Sequence, residues 1–124
     1  MGAENRMAQH YRDLVAWQKA MNLVEHIYEV TKQFPDDERF GLISQMRRCA
    51  VSVPSNIAEG QARNTQGEFL QFLGIARGSI AELNTQVLIA ERLGYLKHAT
   101  TTTSLTEEVG RILSGLIKSL RTNN

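Results

Sequence analysis

The sequence has one cysteine, Cys49, and only two prolines among its 124 residues. A single cysteine excludes an internal disulfide and is typical of a reducing compartment, so we expect a cytoplasmic location. Scarce proline, combined with 42% hydrophobic residues, is typical of a folded globular chain rather than a disordered one.

An excess of charge of one sign is also lacking, because 14 Lys and Arg residues are balanced by 13 Asp and Glu residues. Without a global positive field, any attraction to nucleic acid must come from a local patch. No hydrophobic run approaches the length of a membrane span, and the N-terminal residues lack the apolar core of a signal peptide. We therefore expect no membrane association.

Apolar residues recur at intervals of three and four along four segments, which is the spacing of amphipathic helices. The predicted helices cover residues 14–33, 38–63, 66–93 and 105–121. Residues 1–12 lack this periodicity and are predicted to form a flexible tail, which leaves 13–122 as one domain. Because the connections are short, successive helices should alternate in direction, giving an all-α, antiparallel up-down-up-down four-helix bundle.

Capping signals fix the ends of these helices. Asp13 is a suitable N-cap for the first helix, and residues 36–37, both Asp, are suitable for the second. Capping boxes, in which Ser or Thr is followed three residues later by Glu, begin the third helix at Thr65 and the fourth at Ser104. Gly94 is expected to end the third helix.

The second predicted helix contains Pro54 in the middle of its periodic stretch. Proline removes a backbone donor and clashes one turn back, yet the apolar spacing holds across it, so we expect the helix to continue with a bend. The missing donor frees the carbonyl of Ala50. Side chains of Ser52, Ser55 or Asn56 are expected to satisfy such freed groups locally.

Small residues predict where the helices approach most closely. Ala50 in the second helix and Ala76, Gly78 and Ser79 in the third make both helices thin near their middles. Replacing Gly78 by leucine is therefore predicted to overpack the contact, at a cost of roughly 1–3 kcal/mol.

Four arginines, Arg47, Arg48, Arg63 and Arg77, are candidate phosphate contacts in a nucleic-acid-binding surface, or candidate contacts between subunits. The alternative is structural: Arg47 and Arg48 pair with acidic residues or with helix ends inside the bundle or between subunits. Base stacking also needs exposed rings near the arginines. The aromatic residues considered, Trp17, Phe69 and Phe72, lie on or beside predicted core stripes, so the sequence gives this function no aromatic support.

No combination of residues indicates catalysis. Glu59 and Glu82 suit acid–base chemistry or metal binding, but no glutamate has a histidine at the spacing that di-iron bundles use. We expect both glutamates to anchor one helix to another. Cys49 adjoins two arginines, as a reactive thiolate would, yet it borders the core stripe, which favours a packed thiol. We predict a non-enzymatic protein with no cofactor, no metal and no small-molecule substrate.

The helices carry more apolar residues than one small core can easily hide. The expected inner stripe of the first helix is Leu14, Trp17, Met21, Val24, Tyr28 and Thr31. Beside it stand Leu23 and Ile27, and the third helix has Phe72 and Ile75 in addition to its own stripe. Exposed apolar patches usually mark a subunit interface, so we predict a homo-oligomer.

Several phrases of the sequence resemble one protein family. They are VAWQKA at 15–20, SQMRR at 44–48, PSNIAEG at 54–60, and two stretches at 68–73 and 76–86. Together they are similar to the four-helix bundle proteins encoded by intervening sequences of bacterial 23S ribosomal RNA. A more distant resemblance is to the accessory variability protein of diversity-generating retroelements, which pairs with a reverse transcriptase.

The resemblance implies a left-handed bundle assembling into a barrel-like homopentamer, without catalytic residues. It marks as structural motif residues Pro54, Asn56, Glu59, Gly60 and Glu82. We predict a homo-oligomeric interaction or scaffold protein. The alternative function is an RNA- or DNA-binding adaptor, with a reverse transcriptase as a candidate partner. Cys49 and Asn84 depart from the family pattern, and the near-neutral charge argues against strong polyanion binding.

Overall fold

A computed structural model describes residues 10–122 of the chain. Its helices are α1 (Val15–Thr31), α2 (Leu42–Gln61), α3 (Gln66–Arg92) and α4 (Ala99–Thr122), with 3-10 turns at Tyr11–Asp13 and Asp36–Glu38. Each helix packs against its neighbours along the chain, and α1 also packs against α4, which closes the bundle. The predicted all-α four-helix bundle is confirmed. Most of the predicted tail, residues 1–9, lies outside the described part of the chain.

The core fills the space between the four helices. Its largest fully buried apolar side chains are Leu23, Ile27, Met46, Ile57, Leu73, Leu83 and Leu113. The inner stripe predicted for α1 is wrong at Met21 and Tyr28, which are 37% and 40% exposed. Its other members do pack inward, since Thr31 is buried and Leu14, Trp17 and Val24 lie against the core. The buried face of α1 instead begins with Ala16 and Ala20, whose small side chains let the neighbouring helices come close to the α1 backbone.

Helix α4 begins at Ala99, six residues before the predicted start, and Ser104 lies inside it rather than at its N-cap. The reason is that two threonines of this helix are core residues. Thr102 is fully buried and its hydroxyl lies 2.7 Å from Nε2 of His26 on α1. The hydroxyl of Thr106, one turn later, donates to the carbonyl of Thr102 at 2.8 Å. Buried polar groups with such partners stabilise a helix where the sequence suggests a polar loop.

Helix α3 has the predicted signal at each end. The Oγ1 atom of Thr65 accepts a hydrogen bond from the Glu68 amide at 3.1 Å, which confirms the N-cap. Gly94 has a φ of 81°, and the amide of Tyr95 donates to the carbonyl of Ala90 at 2.9 Å. This pattern is a Schellman motif, which favours glycine at the left-handed position.

The starts of α1 and α2 differ from prediction. Asp13 belongs to a 3-10 turn, and the N-cap of α1 is Leu14, which makes no side-chain cap. The aspartates at 36–37 likewise sit in a 3-10 turn, and Oε1 of Glu38 accepts from the amide of Leu42 at 3.1 Å. A longer carboxylate therefore reaches the free amide of α2 from a position farther along the chain.

Helix α2 runs through Pro54 without interruption, which confirms the predicted continuation, while the bend stays a prediction. The hydroxyl of Ser52 donates to the carbonyl of Cys49 at 2.6 Å. The amide of Asn56 donates to the carbonyl of Ser52 at 2.7 Å. These bonds go to the carbonyls around Ala50, not to the Ala50 carbonyl that the sequence argument named.

Helices α2 and α3 approach each other closely at Gly60. A Cβ atom at Gly60 would lie 2.6 Å from Cβ of Phe72. The prediction for Gly78 is wrong within the subunit, because Gly78 is exposed and a Cβ there would meet nothing within 4 Å. Ala50 and Ala76 are fully buried, as thin contact residues should be.

Candidate functional site

Arg47 is held at the C-terminal end of α1. Its Nε donates to Oγ1 of Thr31 at 2.9 Å, and Nη2 donates to the carbonyl of Tyr28 at 3.3 Å. Its Cζ lies 4.6 Å from the centre of the Tyr28 ring. A cation at the negative end of a helix is stabilised by the unpaired carbonyls there. Of the two interpretations of Arg47, the structure supports binding to a helix end.

Two further arginines lie beside Arg47 without acidic partners. Arg39 and Arg48 are exposed, and neither side chain makes an ion pair or a hydrogen bond within residues 10–122. The Cζ of Arg39 lies 5.0 Å from the centre of the Phe40 ring, and Phe40 is 87% exposed. These groups border a groove of about 760 Å³ between α1 and α2. We call it the arginine–aromatic groove, defined by Tyr28, Arg39, Phe40, Arg47 and Arg48.

Sequence reasoning missed three members of this groove. Arg39 and Phe40 fall between the 3-10 turn and α2, outside any periodic stripe. Tyr28 was assigned to the inner stripe of α1, but it is 40% exposed. The available signal was an Arg-Phe pair in a short connection, with no other large apolar residue adjacent to it.

The other two candidate arginines lie elsewhere. Arg63 follows the end of α2, where Nη2 is 2.9 Å from Oε2 of Glu59. Arg77 lines a separate groove of about 580 Å³ between α3 and α4, together with Arg111 and Glu107. The four predicted arginines therefore do not form one cluster. The interhelical anchor expected at Glu59 is also wrong, because Glu59 pairs with a residue four positions along the chain.

Cys49 is a packed thiol at the α2–α3 contact. It is 5% exposed, and its Sγ donates to the carbonyl of Ser79 at 3.0 Å. Burial, together with the nearby carboxylate of Glu82, raises the pKa of Cys49 to about 12. The thiol therefore stays protonated at neutral pH. Because the thiolate is the nucleophilic form, Cys49 does not fit the role of a reactive cysteine. Glu82 on α3 and Cys49 on α2 line the same cleft, and the anchoring role of Glu82 stays a prediction.

Cys49 lines a polar cleft of about 570 Å³ between α2 and α3, to which α2 contributes Arg48 and α3 contributes Glu82. Gln86 lines the cleft and is only 7% exposed. Its Oε1 has no hydrogen-bond partner among residues 10–122, and the same holds for Oδ1 of Asn84. Unpaired buried acceptors are uncommon in folded proteins.

Two exposed apolar surfaces lie on different sides of the bundle. The first, which we call the apolar groove, is a depression of about 320 Å³ between α1 and α2, lined by Trp17, Met21, Val24, Val51 and Pro54 among others. The second, which we call the α3 flank, consists of Ile75, Ile89 and Leu93, which are 47%, 43% and 54% exposed. These three lie on one side of α3, since their spacings of 14 and 4 residues return to the same helix face. Ile89 and Leu93 are one turn apart, whereas Glu82 and Gln86 of the polar cleft lie between Ile75 and Ile89 on that side.

The part of the chain from 10 to 122 contains no group of three His, Cys, Asp or Glu residues placed to hold a metal ion. Within the same residues, none of the helices combines the length and the apolarity needed to cross a membrane.

A family model for the 23S rRNA-intervening sequence protein matches residues 12–115. Among solved structures, the chain is similar to a protein of unknown function from the S23 ribosomal protein family of Bacteroides thetaiotaomicron. The TM-score is 0.78 at 20% identity, and the match covers 84% of this chain and 96% of that one. At this identity the likeness establishes the fold alone. No curated protein matches significantly.

Proposed function

The chain belongs to the 23S rRNA-intervening sequence protein family, and on that basis we propose that it is a non-enzymatic, homo-oligomeric interaction protein that forms a ring of five copies. The observation that carries the proposal is the pair of exposed apolar surfaces, the apolar groove and the α3 flank. The number five comes from the family resemblance seen in the sequence.

A ring needs two different surfaces on every subunit. In a head-to-tail contact, one patch of a subunit meets a different patch of the next, and the ring closes when the rotation allows it. The apolar groove is concave, and the α3 flank is a ridge of side chains on one helix. None of the residues lining the apolar groove is charged, which is typical of the buried centre of an interface.

The ring is tested by light scattering coupled to size exclusion at micromolar concentration. We expect a mass of about five times the 13.9 kDa of one chain. Ile89→Glu places a charge on the α3 flank and should reduce the mass to that of a monomer, because burying an unpaired carboxylate at an interface is strongly unfavourable.

The matched control is Leu88→Glu. Leu88 is 44% exposed, much like Ile89 at 43%, but it points about 100° away around the helix. It should leave the mass unchanged. A monomeric mass for the unmodified chain would refute the proposal, and equal masses for the two variants would remove the α3 flank from the interface.

A second candidate is the RNA- or DNA-binding adaptor, with a reverse transcriptase as the candidate protein partner. It is favoured by Arg39 and Arg48, which are exposed and have no acidic partner within the described chain. A ring would repeat this positive charge around one axis, so that several weak contacts add through avidity. Pull-down from native cytoplasm, with and without nuclease, tests whether nucleic acid accompanies the protein.

A further inference from the structure

We propose that the arginine–aromatic groove binds single-stranded nucleic acid, with its guanidinium groups contacting phosphates and with Tyr28 and Phe40 stacking on bases. The inference rests on the second candidate function, which it makes specific by naming the site and the form of nucleic acid. It does not depend on ring assembly, since every residue involved lies on one subunit.

The positive charge of the groove is not neutralised. Elsewhere in residues 10–122, three basic side chains have carboxylate partners: Lys19 with Glu108, Lys32 with Glu29, and Arg63 with Glu59. The three arginines of the groove have none, and no acidic residue lines it. The aspartates at 36–37 precede Arg39 in the chain but are not among the residues that line the groove. Phosphates are the complementary ligand for such a cluster.

The rings of Tyr28 and Phe40 offer surfaces on which bases can stack, which a purely ionic patch lacks. Phe40 has the highest exposure of any large hydrophobic residue in the described chain, at 87%. A guanidinium lies over one face of each ring, 5.0 Å from the centre of Phe40 and 4.6 Å from that of Tyr28. The exposure of Phe40 leaves ring surface open for a base. Aromatic faces next to arginines are the arrangement by which proteins hold unpaired bases, and a duplex keeps its bases stacked on one another.

Arg47 makes this site partly preorganised. Its bonds to Thr31 and to the Tyr28 carbonyl fix the guanidinium above the Tyr28 ring before any ligand arrives. A positioned cation loses less side-chain entropy on binding than a mobile one.

The first experiment measures the fluorescence anisotropy of a labelled 12-nucleotide single strand, and of a duplex of the same sequence, with three forms of the full chain. We expect the unmodified chain to bind the single strand more tightly than the duplex. Phe40→Leu retains an apolar side chain but loses the stacking face, and should weaken single-strand binding about tenfold. Phe40→Trp retains stacking and should bind at least as tightly as the unmodified chain, with quenching of the new tryptophan.

The second experiment measures the salt dependence of binding. With three phosphate contacts, affinity should fall about twentyfold between 50 mM and 200 mM salt. Arg39→Gln combined with Arg48→Gln leaves one contact, and the same change in salt should then weaken binding only about threefold. The matched control is Arg77→Gln combined with Arg111→Gln, which makes the same change in net charge in the groove between α3 and α4 and should retain the twentyfold dependence.

Three results would overturn the proposal. One is equal weakening by the two double-arginine variants, which would mean that only overall charge matters. Another is equal affinity for the duplex and the single strand, together with an affinity of Phe40→Leu for the single strand that equals that of the unmodified chain. The last is a lower oligomeric mass for Phe40→Leu, which would make the groove a subunit contact. A ring that forms but does not bind the single strand refutes this inference alone, and a monomer that binds it refutes only the ring.

Discussion

Replacing Gly60 by alanine should destabilise the bundle, although alanine is the better helix former. Gly60 is buried in the last turn of α2. A Cβ atom there would lie 2.6 Å from Cβ of Phe72, 3.1 Å from Cδ1 of Phe69 and 3.3 Å from the Phe69 carbonyl oxygen. Carbon atoms in favourable contact are separated by about 3.5–4.0 Å. The Cβ of Phe72 is fixed to its backbone and cannot rotate away, so α2 and α3 must move apart locally by about 1 Å.

The magnitude follows from two opposing effects. Glycine to alanine inside a helix gains up to about 1 kcal/mol, and less in a final turn. Overpacking a rigid contact costs typically about 1–3 kcal/mol. The net loss should therefore be about 1–2 kcal/mol, which corresponds to a Tm lowered by roughly 3–10 °C for a chain of this size.

Thermal and urea denaturation measure the effect, with Gly78→Ala as the matched control. Gly78 is also inside a helix, but an added Cβ would meet nothing within 4 Å. This control should be as stable as the unmodified chain, or more stable by up to about 1 kcal/mol. If Gly60→Ala were at least as stable as Gly78→Ala, the close approach of α2 and α3 at Gly60 would be wrong.

Two predictions concern titrating groups. Because its pKa is raised to about 12, Cys49 should react with a disulfide reagent at pH 8 far more slowly than the thiol of the urea-unfolded chain, and equally fast labelling of the native protein would contradict the packed thiol. Burial lowers the pKa of His26 below the usual 6.5, so the unfolded chain takes up this proton first and stability should fall as pH drops below about 6.5. Urea denaturation at pH 7.5 and 5.5 should show a smaller loss for His26→Gln than for the control His98→Gln, and equal losses would exclude His26 as the source.

The helices themselves were predictable, because long stripes with a period near 3.6 have few alternatives. What the sequence did not determine was which stripe of α1 faces inward. Two adjacent stripes satisfy the same period, and the choice depends on Ala16 and Ala20, which leave space for the neighbouring helices. The start of α4 was missed for a related reason. Thr102 is polar in the sequence, but its bond to His26 makes it a core residue.

The glycines and the surface show the same limit. Gly60 and Gly78 both lie in predicted helices, so the sequence alone does not distinguish them. The packing of α3 against α2 leaves no space for a side chain at Gly60 and leaves open space at Gly78. The arginines were identified as candidates, but their grouping was wrong, since Arg39 joins Arg47 and Arg48 while Arg63 and Arg77 lie elsewhere. Such neighbourhoods depend on the packing of several helices, which local spacing does not encode.

The proposed head-to-tail contact between the apolar groove and the α3 flank is tested most directly by mixing two interface variants. Met21→Glu blocks the apolar groove, where Met21 is 37% exposed, and Ile89→Glu blocks the α3 flank. Each variant alone should be monomeric. In an equal mixture, the intact groove of one variant meets the intact flank of the other, so native mass spectrometry should detect a species of one copy of each chain, about twice 13.9 kDa, and nothing larger. A mixture that remains monomeric, or either variant assembling alone, would contradict the account.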